Sequence, residues 1–250
     1  MEQAWDILAA RPPHPLVLEI LYQGGIYRCV VAGRVQHDNA LVTAMIERWR
    51  PETHTFHLYT GETTITLQDV EVLYGLQVDG RALVIQKPQQ MSSYRQELNR
   101  LTGFGPQESH IWGQSRLLMH PLFDHLRLVD MQHPITEDIP QVDVDRRARL
   151  YLLVIFGGIL FPNTSGSHVN LRYLPFLEHL GELGCYSWGA AVLAFMHRRF
   201  RRAFMGARTD VAAFCPLLQI WVWTRMRPLQ PIAADPLLDY IDEAMPYARR

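Results

Sequence analysis

Lysine is nearly missing from this chain: Lys87 stands alone against 23 arginines. Arginine suits bidentate contacts to carboxylate and phosphate and stacking on rings, and it equally suits half-buried structural ion pairs. Cysteine is scarce as well. Cys29, Cys185 and Cys215 are odd in number, widely spaced and without a C-x-x-C pair, which excludes a disulfide framework and implies free, mostly buried thiols in a reducing compartment. Long apolar runs are absent. The longest, Leu150 to Phe161, has 12 residues, short of the roughly 18 to 20 that a membrane helix needs, and no basic-then-apolar leader opens the chain. The net charge of −1 supplies no global attraction to nucleic acid or membrane, so any such binding needs a local patch. There is no internal repeat and no low-complexity tract. A soluble intracellular protein is the expectation, with no membrane partner.

With 48% hydrophobic residues, the 250-residue chain can bury a substantial core as one large domain or two small ones. Val42, Met45, Ile46 and Trp49 fall at i, i+3, i+4 and i+7, an apolar helical stripe that Asp38 or Asn39 can cap and Pro51 ends. Phe56 and Leu58 then alternate with Thr55 and His57, and Ile65 and Leu67 with Thr64 and Thr66. Gly61 between the two runs predicts a β-hairpin near residues 55–67. Thr66 with Asp69 has the form of an N-cap with an acidic N3, and Gly75 sits where a C′ glycine closes the helix.

Elsewhere helices dominate the expectation. Residues 1–15, ending in Arg11-Pro12-Pro13-His14-Pro15, read as an extended lead-in, followed by a short helix over Leu16 to Tyr22. Asp79 to Gln90 reads as an irregular connection with a short strand at Ala82 to Ile85. Ser93 with Gln96 suggests a capping box for a helix reaching Arg100 or Leu101. Further helices are expected over Gln107–Leu118, Pro121–Val129, Val144–Leu160 behind an Asp143 cap, Leu171–Leu183, Ser187–Met205, Val211–Met226 and Pro236–Ala244. The fold class expected is mainly α: a single compact helical domain over 16–250 with one small β-hairpin.

The stretch Glu47-Arg48-Trp49-Arg50-Pro51-Glu52-Thr53-His54-Thr55-Phe56-His57-Leu58, continued by Gly61-Glu62 and Ile65-Thr66-Leu67-Gln68-Asp69-Val70, resembles the plant mobile domain. That family includes the maintenance-of-meristems proteins and their transposon-borne relatives. The resemblance continues through Arg147-Ala148-Arg149-Leu150-Tyr151-Leu152, Gly157-Gly158-Ile159-Leu160-Phe161-Pro162, Tyr186-Ser187-Trp188-Gly189 and Gln219-Ile220-Trp221-Val222-Trp223, covering about residues 35–230. It implies a nuclear, plant-type protein acting in transposable-element silencing and gene regulation through protein partners. Some relatives carry the domain fused to, or working with, a serine/threonine phosphatase of the plant long-form type. Trp49, Arg50, Pro51, Glu52, Thr53, His54, Phe56, His57 and Trp188 are the signature positions, expected to be structural.

The family is sometimes labelled aminotransferase-like. Pyridoxal-phosphate chemistry needs a lysine for the Schiff base, and Lys87 lies in a loop-like setting, Gln86-Lys87-Pro88-Gln89-Gln90, without phosphate-cradling glycines. No cofactor and no catalytic residue are expected. Glu52, His54 and His57 could suggest a metal, yet positions three apart on a strand face opposite ways. His120, Asp124 and His125 lack zinc-site spacing and read as hydrogen-bonding side chains. Asp143-Val144-Asp145 reads as a cap and a dipole partner. Gly103-Phe104-Gly105 reads as a turn, and Ser165-Gly166-Ser167-His168 matches no nucleophile elbow.

The strongest functional candidate is the helix over 187–205. Arg198, Arg199, Arg201 and Arg202 span an arc of roughly 160° at 100° per residue, with Leu193, Met196, Phe200 and Phe204 opposite and Arg208 beyond. From Ala190 to Arg227 seven arginines meet one acid, Asp210. Such a face can contact a protein partner or a phosphate backbone. It can also be solvated, or be neutralised within the chain by the acidic residues Asp235, Asp239, Asp242 and Glu243. Trp221-Val222-Trp223 is expected in the core.

Overall fold

Prolines and glycines decide where the helices of this chain stop. The computed structural model describes residues 2–85, 87, 89–136, 138–163, 165–206 and 215–230. In chain order the helices are α1 (Glu2–Ala10), α2 (Pro15–Gln23), α3 (Arg28–Val31), α4 (Asn39–Glu47), α5 (Leu67–Tyr74), α6 (Met91–Thr102), α7 (Met119–Gln132), α8 (Gln141–Ile155), α9 (Trp188–Met205) and α10 (Cys215–Arg225). The strands are β1 (Trp49–Arg50), β2 (Thr55–Leu58), β3 (Gly61–Thr63), β4 (Ile111–Trp112), β5 (Arg116–Leu118) and β6 (His168–Asn170). They form two antiparallel three-stranded sheets, β1-β2-β3 and β4-β5-β6. The fold is mainly α with small β elements, and its contacts gather into two compact units.

The first unit comprises Met1–Gly24 and Leu83–Tyr186. Its axis is α8, buried all round from Leu150 to Ile155 and packed by α2, α6 and α7. Phe156–Leu160 extends it as one π turn, in which the Phe161 amide donates to the Phe156 carbonyl at 2.8 Å. Gly157 belongs there because a Cβ at that position would lie 2.7 Å from Val169 Cβ and 2.8 Å from Met119 Sδ. Two arginines of α8 act as staples. Arg147, 3% exposed, pairs with Asp130 and donates to the His133 carbonyl at 2.8 Å, tying α8 to the end of α7. Arg149 donates to the carbonyls of Leu177 at 2.8 Å and Glu178 at 3.0 Å. A lysine carries its donors on a single nitrogen and lacks the planar fork that reaches these separate acceptors.

Several expectations in this unit give way to the structure. Residues 2–10 are helical rather than extended, and only the proline-rich turn after Ala10 breaks the chain before α2. Gln107–Leu118 is no helix: a 3-10 turn, Glu108–His110, leads into the β4–β5 hairpin around Gly113 at φ 64°. Leu171–Leu183 becomes two 3-10 segments, Leu171–Leu177 and Leu180–Cys185, and Pro175 inside the first has no amide to offer an α-helical ladder. Ala82–Ile85 forms no strand. Helix α6 begins at Met91, which places Ser93 inside it rather than at its cap. Pro140 occupies the N-cap of α8, and Asp143 pairs from the first turn with Arg146 at 3.4 Å.

The second unit comprises Gly25–Ala82 and Ser187–Arg250. Asp38 caps α4, accepting the Leu41 amide at 2.9 Å. The helix ends at Glu47, so Trp49 is a strand residue, paired with Phe56, rather than the last member of a helical stripe. The hairpin forms with His57 opposite Glu62, and Ile65 and Leu67 lie beyond its strands. Thr66 and Asp69 make the reciprocal capping box of α5, and Gly75 at φ 64° closes that helix. α5 packs on α9 and α10, and α4 on the same two helices. The expected helix over Val211–Met226 is observed as α10, its first four residues and the whole of Pro236–Ala244 lying outside the described residues. No helix among the described residues is long and apolar enough to cross a membrane.

Candidate functional site

The arginine-bearing helix α9 is fixed first at its N-terminus. The Ser187 amide donates to the Arg81 carbonyl at 2.9 Å and the Gly189 amide to the Gln77 carbonyl at 2.8 Å. A Cβ on Gly189 would stand 2.8 Å from Val78 Cγ1, so glycine permits this approach. Trp188, Val192, Met196 and Phe200 are fully buried along one face. On the other, Arg198, Arg201 and Arg202 are exposed, and Arg199 is half-buried with its guanidinium 4.9 Å from the Phe195 ring centroid. Among the described residues no carboxylate pairs with Arg198, Arg201 or Arg202.

The signature residues build the floor beneath this face. Trp49, wholly buried, packs edge-on against Phe56 at 4.9 Å and Phe200 at 5.1 Å, and Phe56 lies 5.6 Å from Trp221. His54 takes φ 55°, a conformation uncommon outside glycine. The Thr64 hydroxyl holds it there by donating to the His54 carbonyl at 2.7 Å. Its ring stacks on His197 of α9 at 5.2 Å and 14°, and His197 in turn lies 5.2 Å from Trp49. Burial, followed by the proximity of His54, pulls the His197 pKa down to about 4. The imidazole is therefore neutral at pH 7. Arg50 reaches the same end of α9, its guanidinium 5.9 Å from the ring of Phe204. Phe204 is 40% exposed and Met205 70%, so the basic face ends in apolar surface.

The remaining signature positions form the turn and hairpin. Pro51, Glu52 and Thr53 lie between β1 and β2, with the Thr53 hydroxyl 2.7 Å from that of Thr55. His57 is solvent-facing and 3.8 Å from Glu62, so His54 and His57 go to different neighbours. No three His, Cys, Asp or Glu side chains converge as a metal site among the described residues. His120 pairs with Asp124 at 3.1 Å, while His125 turns to the Phe104 ring at 4.8 Å. Lys87 is exposed. Cys29 and Cys215 are buried, Cys185 is exposed, and none of the three is in a disulfide.

Sequence reasoning placed the arginines of α9 on one face but missed two companions. His197 lies on the same helix, three residues before Phe200 and four after Leu193, a spacing that marks it as partly buried. Arg50 comes from β1, and only the fold brings it to Phe204. Arg208 and the acidic residues Asp235, Asp239, Asp242 and Glu243 lie outside the described residues.

Among the described residues of the first unit are cavities of about 410 and 290 Å³. Their charged linings include the internal pairs His120–Asp124 and Arg147–Asp130.

The plant mobile domain family profile matches residues 25–249. The chain is 35% identical over 240 residues to an Arabidopsis thaliana serine/threonine-protein phosphatase 7 long form homolog, covering 94% of this chain and 17% of that protein. It is 30% identical over 226 residues to the Arabidopsis protein MAIN-LIKE 2 (90% and 32%) and 31% identical over 210 residues to MAINTENANCE OF MERISTEMS (83% and 41%). The chain thus spans well under half the length of each of these relatives. No solved structure matches it.

Proposed function

The chain belongs to the plant mobile domain family, and from that membership we propose that it is a non-catalytic interaction module of a nuclear protein that silences transposable elements or regulates genes through protein partners. The observation that carries this reading is the division of labour in the second unit. The signature residues Trp49, Phe56 and Trp188 are spent on a solid aromatic core, while Arg198, Arg201 and Arg202 stand exposed above it. A row of guanidinium groups ending in the apolar Phe204 and Met205 suits an acidic protein surface with an apolar anchor. One relative bears a phosphatase name, so a phosphatase of the plant long-form type is a partner to examine, bound or fused.

Schiff-base chemistry has little to draw on, since Lys87 is exposed in a loop. The local excess of positive charge supports a second reading, in which the same helix binds the nucleic-acid backbone. Binding of duplex DNA by the wild type and by a variant with Arg198, Arg199, Arg201 and Arg202 changed to alanine, each at low and physiological salt, separates the two. The interaction-module reading expects weak binding, or binding that the four changes leave intact. A steep salt dependence that the variant loses would favour nucleic acid and overturn it.

A further inference from the structure

In the first unit the sheet β4-β5-β6 has two unlike faces. Ile111, Leu117 and Val169 stand in register across the three strands and are buried, 0 to 6% exposed. The opposite row, also in register, is Trp112, Arg116 and Asn170. Trp112 is 63% exposed, although an indole left in water forgoes the largest burial gain of any side chain. The Arg116 guanidinium lies over the indole ring, 4.8 Å from its centroid, leaving the rest of the exposed ring to solvent. His168 is tilted 48° beside it, centroids 6.1 Å apart. The Nδ1 atom of His168 is engaged by the Ser167 hydroxyl at 2.8 Å and the Asn163 side-chain amide at 3.2 Å. Burial, then the charge of Arg116, lowers its pKa, leaving a neutral ring at pH 7. Glu108, in the turn leading into β4, is matched by Arg95 at 3.0 Å.

We propose that this sheet face is a binding platform for single-stranded nucleic acid, with an unpaired base stacking on Trp112 and Arg116 contacting the adjoining phosphate. A flat exposed ring on a sheet, next to a guanidinium and with polar side chains at its edge, supplies the two terms that single-strand binding uses, stacking and backbone neutralisation. Duplex DNA hides its base faces and cannot use the indole. A proline-rich peptide needs an aromatic-lined groove, whereas here the second ring is tilted 48° from the first. The platform is built from residues of the first unit and does not rest on the reading given for α9.

The test is fluorescence anisotropy with a labelled 12-nucleotide oligothymidylate and its oligouridylate counterpart, at low and physiological salt. The proteins are the wild type, Trp112→Ala, Arg116→Gln and the triple α9 variant Arg198→Ala, Arg201→Ala, Arg202→Ala. Trp112→Ala is expected to weaken binding about tenfold, the size of one base stack, with the salt slope unchanged. Arg116→Gln should reduce that slope by about one phosphate contact. The α9 variant should bind as the wild type does. Circular dichroism melts of each variant identify any loss that comes from unfolding, and Trp112→Phe, which keeps a stacking ring, should recover most of the affinity. No oligonucleotide binding by the folded wild type would overturn the proposal. So would binding indifferent to Trp112→Ala, or a Trp112-dependent affinity for a proline-rich peptide in place of the oligonucleotide.

Discussion

Asp69 accepts the indole N–H of Trp221 at 3.1 Å. The same carboxylate closes the capping box of α5, taking the Thr66 amide at 2.8 Å, and meets the Arg225 guanidinium at 2.5 Å. One side chain thus joins a helix start in the first half of the signature to the buried tryptophan of α10. The local motif and the long-range contact stabilise each other.

Replacing Asp69 should therefore cost more than a cap alone. Asp69→Ala removes the box and strands the indole N–H, a loss of about 2 to 4 kcal/mol from a cap plus charge-assisted hydrogen bonds. Burial alone would raise the Asp69 pKa, but the Thr66 amide, the Arg225 guanidinium and the Thr66 hydroxyl together outweigh it and hold the group below its ordinary value. A lowered carboxylate pKa gives stability that is present above the unfolded value and disappears as pH falls through the folded one. Urea midpoints of wild type and Asp69→Ala should accordingly differ most at neutral pH and converge in strong acid.

His197 titrates with the same sign for a different reason. Its pKa of about 4 lies below the ordinary 6.5, because burial and then His54 oppose the charged ring. The unfolded chain takes up that proton first, so stability contributed by the neutral ring falls as pH drops from about 6.5 towards 4. His197→Phe should flatten the urea midpoint between pH 7 and 5 relative to the wild type. An unchanged pH dependence would separate His197 from the acid response.

Gly157→Ala should destabilise the first unit by about 1 to 3 kcal/mol, since the new methyl group meets Val169 and Met119 inside a packed core. A thermal melt followed by circular dichroism reads the shift. A melt equal to wild type would show that the π turn has slack there.

The signature and the arginine row should part company in stability measurements. Trp49→Ala empties a fully buried indole site and should cost about 3 to 5 kcal/mol. The triple change Arg198→Ala, Arg201→Ala, Arg202→Ala touches exposed side chains and should stay within about 0.5 kcal/mol per position.

What the sequence disclosed is mostly what is local. The Thr66–Asp69 box, the Gly75 cap and the amphipathic α9 are decided within a few residues, and each forms where its pattern places it. The Gln107–Leu118 segment differs because it turns at Gly113 into the short β4–β5 hairpin, which becomes a sheet through Leu117 pairing with Val169, 52 positions away. Its apolar spacing fits a helix until that partner is known. Trp49 likewise fits a helical stripe by spacing, yet the Phe56 pairing claims it for a strand. At the candidate site the arginines were legible because helical periodicity sorts faces. The approach of Arg50 to Phe204 and the stack of His54 on His197 were not, since both depend on how the hairpin folds back on α9.

On the proposed function, α9 contacts a protein partner through its exposed arginines while the signature residues support it from below. Quantitative co-purification from plant nuclei, comparing wild type with the triple variant Arg198→Ala, Arg201→Ala, Arg202→Ala at matched thermal stability, tests it most directly. Recovery of a defined set of nuclear proteins is expected to fall at least about tenfold with the variant, the factor that about 1.4 kcal/mol of lost binding energy produces. Undiminished recovery of the same proteins would contradict it.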